Sequence, residues 1–325
     1  MLARQGITGR VVPGHVVNGV LAALLSAASL FALIVLPLGP MAGDTRWAWL
    51  LLPLAVLTGS HWALLHEAIH GLLHPHPGVN RAVGRLLAGL GGSSFRVLRF
   101  GHLMHHRFNR FRMDRPDCFD PAEISPTRAR LKYFFELFGG LYLIEVSVPL
   151  LFLLPRGLCL RLLERIYAHP DATVRQVRAI ARQTFIGDRQ LRELRQDAVL
   201  VLALLAAAAM AWGPDWPLLV AFLLGRGAVI SFMDNVYHYR TPLDVVDFAH
   251  NLRLPRPLRL AVLNINLHRI HHHEPHLPWW RLHARFRECA DRYDGAYLPA
   301  ALAQLRGPAP VAAFAAAKKD PRDAA

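Results

Sequence analysis

The sequence predicts an all-α integral membrane protein. It should be a helical bundle with about four transmembrane helices, one re-entrant or interfacial apolar segment, and a cytoplasmic helical cap carrying three histidine groups. Three observations predict this. Hydrophobic residues make up 53% of the 325 positions, gathered in long uncharged runs near the roughly 20 residues that a spanning helix needs. The formal charge of +14 sits between those runs, as expected of loops kept on one side of a bilayer. The 18 histidines are grouped at helical spacings.

The first apolar run, residues 16–38, follows Arg4 and Arg10. It is too long for a signal-peptide core and lacks a convincing cleavage motif, so it reads as a retained anchor helix. The linker 39–46 is poor in Lys and Arg and leads into the second run, 47–65, so this turn belongs outside. The third run, 134–154, has basic residues on both flanks: Arg128, Arg130 and Lys132 before it, Arg156, Arg161 and Arg165 after it. Both flanks favour the cytoplasm, so the segment is expected to dip in and return or to lie in the interface, bending at Gly139-Gly140 or Pro149. In the competing topology 134–154 crosses and the short run 198–212 does not, which would export the nine arginines between 156 and 195.

Residues 156–197 alternate charged and apolar positions with helical spacing and read as cytoplasmic amphipathic helices. The runs 198–212 and 216–237, joined by 213–215, complete the set. Residues 1–306 form a single domain, and the Ala- and Pro-rich tail 307–325 is expected to be disordered. Cys118, Cys159 and Cys289 lie far apart and fit neither a disulfide framework nor a zinc ribbon. No nucleic-acid motif accompanies the basic charge. Its natural partners are anionic lipid headgroups, a phosphorylated carrier or an acidic electron donor.

The stretch LLHEAIHG, residues 64–71, contains His66-Glu67-Ala68-Ile69-His70. It matches the H-E-x-x-H zinc protease signature, with Glu67 as general base, and equally a plain H-x-x-x-H pair. Two further groups choose between these. GHLMHHRFN supplies His102, His105 and His106; NLHRIHHHEPHLPWW supplies His268, His271 and His272. Positions i, i+3 and i+4 share a helix face, so each H-x-x-H-H box presents three imidazoles together. Eight such nitrogens are too many for one tetrahedral zinc and suit two metals. His238, in DNVYHYRTP at the cytoplasmic end of the 216–237 helix, falls at the same level as a ninth.

The protease reading leaves both H-x-x-H-H boxes unexplained, and its tempting aspartate, Asp244, is followed by Val245 where an L-D-G motif needs glycine. Glu67-Ala-Ile-His70 also fits the E-x-x-H of carboxylate di-iron bundles, but the second copy they use is missing. A metal transporter would favour ionisable residues at mid-membrane depth along a path, and the buried candidates are few: His61, Glu136, Glu145 and Arg226. His61 is expected to be a hydrogen-bonded core histidine, and Trp279 and Trp280 interfacial anchors.

The box order resembles the membrane fatty acid desaturase and hydroxylase superfamily, whose boxes read H-x-x-x(x)-H, H-x-x-H-H and H/Q-x-x-H-H. The resemblance runs from the first hydrophobic helix to about residue 282, and H-E-P-H-L-P-W-W is similar to the family's ending after its third box. It implies a di-iron centre held by His66, His70, His102, His105, His106, His268, His271 and His272, with His238 matching a further family histidine. Some members carry, four residues before that histidine, an Asn that reaches a metal through water. Here that position is Asp234, with Asn235 beside it, and these two with Glu67 are expected to support the ligands. The resemblance further implies oxygen-dependent desaturation of a long acyl chain on a lipid or acyl carrier, with electrons from a separate donor such as a ferredoxin. The same boxes would serve a hydroxylase or ketolase acting on a lipid or a carotenoid.

Overall fold

The structure, a computed structural model, describes residues 14–318. Helix α1 (Gly14–Leu30) contains no charged residue and continues through a π-helical turn, Phe31–Val35. A helix is the form that satisfies every backbone group without water, so such a run folds this way in lipid. The chain returns through the turn Thr45–Leu50 and the helix Leu51–Val56 into α2 (Thr58–His70). Gly71, at φ 81°, closes α2, and the N–H groups of Gly71 and Leu72 donate to the carbonyls of Ala68 and Glu67. This left-handed cap leaves His66 and His70 in the last turns of the helix.

Helices α3 (Pro77–Leu90) and α4 (Phe95–Phe108) form a hairpin. Two side chains satisfy carbonyls in the last turn of α3: His61 Nε2 lies 2.8 Å from Leu87 O, and Arg226 Nη1 donates to Leu90 O at 3.1 Å. His61 is thus the hydrogen-bonded core histidine expected of it, and Arg226 caps a helix end where a cation is favoured.

Helices α5 (Pro126–Phe135) and α6 (Leu141–Leu151) are separated by a sharp bend at Phe138 and Gly139, with Gly139 at φ 111°. A Cβ at Gly139 would lie 3.1 Å from Ala228 N, so this position needs glycine for both conformation and space. Tyr133, near the start, touches Asn235, whereas Phe152, just past the end, packs with Phe100 and Phe108 of α4. Both ends therefore lie near the elements that carry the histidines, while the bend reaches Leu224–Ala228 of the helix that precedes His238. The turning point is Gly139; Pro149 sits in the last turn of α6.

Helices α7 (Arg156–Ile166) and α8 (Ala172–Phe185) pack beside α4 through Phe185, Leu163 and Val177. Helices α9 (Asp188–Trp212) and α10 (Trp216–Val236) form a hairpin about the turn Gly213–Asp215. The run 198–212 is thus the apolar part of a longer helix. Met41 and Leu51 cluster with Trp212 and Leu219, which places both tight turns at the same end of the bundle, away from the histidines. Four helical stretches are long and apolar enough to cross a membrane: Gly14–Gly43, Thr45–His70, Pro126–Leu151 and Asp188–Val236, the last comprising α9 and α10. Their outward residues include Leu24, Leu200 and Met210, all largely exposed, as lipid-facing side chains should be.

The C-terminal part carries α11 (His268–His273), α12 (Trp279–Glu288) and α13 (Tyr297–Ala303). Two short parallel pairs stitch it down: β1 (Cys118–Phe119) with β4 (Ala309–Pro310), and β2 (Leu252–Arg253) with β3 (Gly295–Ala296). The expectation of a disordered tail from 307 is corrected here. Residues 309–310 pair with β1, residues 311–318 continue as a 3₁₀ helix, and Phe314 is buried against Leu243 and Ala309. One aromatic anchor outweighs an otherwise disorder-like composition. The rest of the expected tail, 319–325, lies outside the described residues.

Candidate metal centre

The structure brings all nine sequence-predicted histidines together in two groups. His66, His70, His102, His106 and His271 form one; His105, His238, His268 and His272 form the other, and within each the candidate donor nitrogens lie within 4.8 Å of one another. Helix α2 presents its i and i+4 positions, and α4 its i, i+3 and i+4 positions. His238 follows two residues after α10. Helix α11 is oriented by Arg269, which bonds Asp291 and Asp294 at 2.7 and 2.8 Å, fastening that side of the helix while His268, His271 and His272 turn inward. Boxes on three helices therefore interleave: each group draws on both α4 and α11.

In the first group the Nε2 atoms run His70–His102 at 2.9 Å, His102–His106 at 3.0 Å and His106–His271 at 3.0 Å. A neutral imidazole Nε2 carries either one proton or one lone pair, so hydrogen bonding satisfies at most two of these three contacts. A cation satisfies all of them, because imidazoles bound at about 2.1 Å and at right angles sit roughly 3 Å apart. In the second group His105 Nε2 and His272 Nε2 are 3.2 Å apart. His66 Nε2 and both nitrogens of His238 are buried without a partner, a costly arrangement for polar atoms that nothing else would occupy. The residues thus fit two metal ions, and an all-imidazole donor set suits iron as well as zinc.

Burial, reinforced by neighbouring histidines, holds His102, His106, His238, His268, His271 and His272 below the usual imidazole range. They stay neutral, with lone pairs available to a metal. His105 goes the other way: burial lowers its pKa, but the charge and hydrogen bond of Asp114 outweigh that and raise it. Asp114 Oδ2 accepts from His105 Nδ1 at 2.6 Å, fixing the ring so that Nε2 faces the site. Asp114 is absent from the sequence reading. Its only sequence signal is an acidic residue nine positions past a ligand, and Asp117 nearby looks equivalent until the fold assigns it to Arg110.

The three predicted supporting residues divide. Asp234 accepts from Trp62 Nε1 at 3.1 Å and borders the same cavity as His105 and His238. Asn235 borders the cavity too, and its amide donates to Gln304 Oε1 at 2.6 Å and contacts the Tyr133 hydroxyl. One residue further on a helix is about 100° further round, so the Asn235 amide reaches Tyr133 of α5 and Gln304 just past α13, while Asp234 bonds Trp62 of α2. Glu67 is buried and accepts from the Trp279 backbone N–H at 3.3 Å, joining α2 to the start of α12. Trp279 itself, half-buried, donates to Asn18 of α1 at 3.0 Å.

A cavity of about 460 Å³ opens beside the second group, bordered by His105, Asp114, Asp234 and His238. Its rim carries Arg112, Glu123 and Lys132, and its far side Leu137 and Leu141. That volume and mixed lining match a site for a ligand with one polar end and one apolar end.

A helical membrane bundle with nine inward-facing imidazoles beside such a cavity defines a membrane protein built around a histidine-rich centre. The chain matches the family described as fatty acid desaturase over residues 44–301, and it belongs to that family. No match is found among curated proteins.

Proposed function

We propose that the protein is an oxygen-dependent membrane oxidase that introduces a double bond into a long acyl chain, using two iron ions held by its nine histidines. The observation that carries this reading is the pairing of two imidazole groups with one amphipathic cavity, in a chain of the fatty acid desaturase family. Iron supplies the redox chemistry with dioxygen that an unactivated C–H bond requires and that zinc lacks. The chain's own residues do the rest. His66, His70, His102, His106 and His271 would hold one ion; His105, His238, His268 and His272 the other. Asp114 orients His105, and the leucines of the cavity exclude water and align the apolar chain across the second group. The charged rim receives the polar end of an acyl lipid or acyl carrier.

Four crossings, by α1, the Thr45–His70 segment, α9 and α10, leave the histidines and the basic loops on the cytoplasmic side, consistent with the arginines around α5 to α8. A separate small redox protein, such as a ferredoxin, supplies the electrons. The test is expression in a heterologous host with mass-spectrometric lipid profiling, comparing wild type with His105→Ala and His271→Ala. A new double bond lost in both variants is expected. An added oxygen would assign a lipid or carotenoid hydroxylase or ketolase, and unchanged lipids with an iron-free protein would refute the reading.

A further inference from the structure

The family match ends at residue 301, yet the chain continues, and Pro308 borders the cavity beside the second histidine group. We propose that residues 304–314 form a strap that is the outer wall of this cavity and selects which acyl chains lie against His105 and His238. The substrate class rests on the oxidase reading above; the wall itself rests on geometry.

The strap is tied at three places. Gln304 is fully buried: its Oε1 accepts from Asn235, its Nε2 donates to Phe232 O at 3.2 Å, and its backbone carbonyl accepts from the Tyr133 hydroxyl at 3.0 Å. It therefore joins α5 to the end of α10, just before His238. In the middle, Gly307 O accepts from the Tyr239 hydroxyl and from Arg240, while Ala309 N–H donates to Asp117 O. With these backbone groups satisfied, the strap presents Pro308 to the cavity as an apolar surface. At its end Phe314 is buried against the guanidinium groups of Arg110 and Arg240, at 5.5 and 5.6 Å. Arg110 follows the second box and Arg240 follows His238, so the strap clasps the two loops that leave the second group. Phe314 is the peg that keeps the two-residue β1–β4 pairing closed over Cys118, a half-buried thiol on the cavity wall.

The test uses the full chain carrying Cys289→Ser, which removes the exposed thiol; Cys159 is buried. Labelling of Cys118 by N-ethylmaleimide is followed by mass spectrometry, with two bound metals per chain as the check that the site is folded. Phe314→Ala should speed labelling by about tenfold, by raising the population of the open strap. Phe314→Leu should restore slow labelling. Gln304→Glu, which keeps the acceptor but loses the donor to Phe232, gives the same readout should Phe314→Ala fail to fold. In lipid profiling Phe314→Ala should add chain lengths or double-bond positions absent from wild type, while Phe314→Leu should not. Unchanged labelling in the folded variants overturns the wall. Faster labelling with an unchanged product pattern overturns the selective role. A wild type that oxidises no lipid overturns the oxidase reading and the selective role together, and labelling still decides the wall separately.

Discussion

Asp114 offers the sharpest perturbation because it acts on only one of the two histidine groups. Its carboxylate accepts from His105 Nδ1 at 2.6 Å and retains 31% side-chain exposure. Removing an outer partner of a ligating histidine typically costs about 10- to 100-fold in metal affinity, or roughly 1.4–2.8 kcal/mol. Water can reach Asp114 and replace part of the lost acceptor, so Asp114→Ala should lie nearer tenfold. On the proposed reading the loss should fall on the metal that His105, His238, His268 and His272 would hold, while the five-histidine group would keep its ion. The assay is iron per chain after equilibrium dialysis against graded chelator, with wild type and variant run in parallel. The variant should release one of its two irons at about tenfold lower chelator strength and the other at the wild-type value. Identical curves would refute the orienting role, and equal loss of both irons would refute the division into two groups.

Glu67→Gln preserves an oxygen acceptor for Trp279 N–H, so it should keep both metals and measurable oxidase activity; complete loss of activity with metals retained would reinstate Glu67 as a general base. Gly139→Ala forces a left-handed residue into contact with the α10 backbone, costing about 1–3 kcal/mol; an unchanged thermal midpoint would show that the bend is not held there. Arg269→Ala removes the partner of half-buried Asp291 and exposed Asp294 and should cost about 2 kcal/mol, read as a thermal shift of several degrees; a shift within error would refute the role of this ion pair in orienting α11. For Asp291, burial raises the pKa, but the bonds from Arg269 and the Arg292 backbone outweigh it and leave the group below its usual value. Its stabilising effect is therefore complete above about pH 4, the unfolded value, and is lost as pH falls through the folded value. A midpoint measured against pH should show this acid limb in wild type and not in Arg269→Ala.

Eight of the nine clustered histidines were legible because their spacing is a helix-surface property, i, i+3 and i+4 imidazoles sharing a face whatever surrounds the helix; His238 was placed by its position at the end of an apolar run. The bend within residues 134–154 was legible from its Gly139-Gly140 pair, because glycine reaches the positive φ that Gly139 adopts. Asp114 was not legible, since choosing it over Asp117 requires knowing where Arg110 and His105 lie in space. The partners of Asn235 were not legible for a related reason: its bonds to Tyr133 and Gln304 join segments about 70 to 100 residues away in sequence. The strap was hidden by composition, because Ala and Pro read as disorder and a single phenylalanine carries the anchoring.

The surroundings of the two histidine groups are not alike, and this bears on the opening ambiguity of H-E-x-x-H. Neutral imidazoles leave the full charge of any bound cations inside a buried site, which is expensive unless carboxylates stand nearby. Asp114 and Asp234 both border the cavity at the second group. The first group has a guanidinium nearby instead: Arg99 acts electrostatically on His70 and has no carboxylate partner among the described residues. Glu67, the one acid inside the first box, is bonded to the Trp279 backbone and ties α2 to α12. A protease would need that carboxylate free to activate water at a metal. Here it is bonded to the Trp279 backbone; the cavity bordered by His105 and His238 lies at the other group, and a second of about 580 Å³, bordered by Gly71 and Arg99 but by none of the nine histidines, adjoins the first. On the proposed oxidase reading the acyl chain would lie where the acids and an amphipathic cavity coincide, beside His105 and His238. The five-histidine group would then serve as the second ion's seat, set away from the substrate.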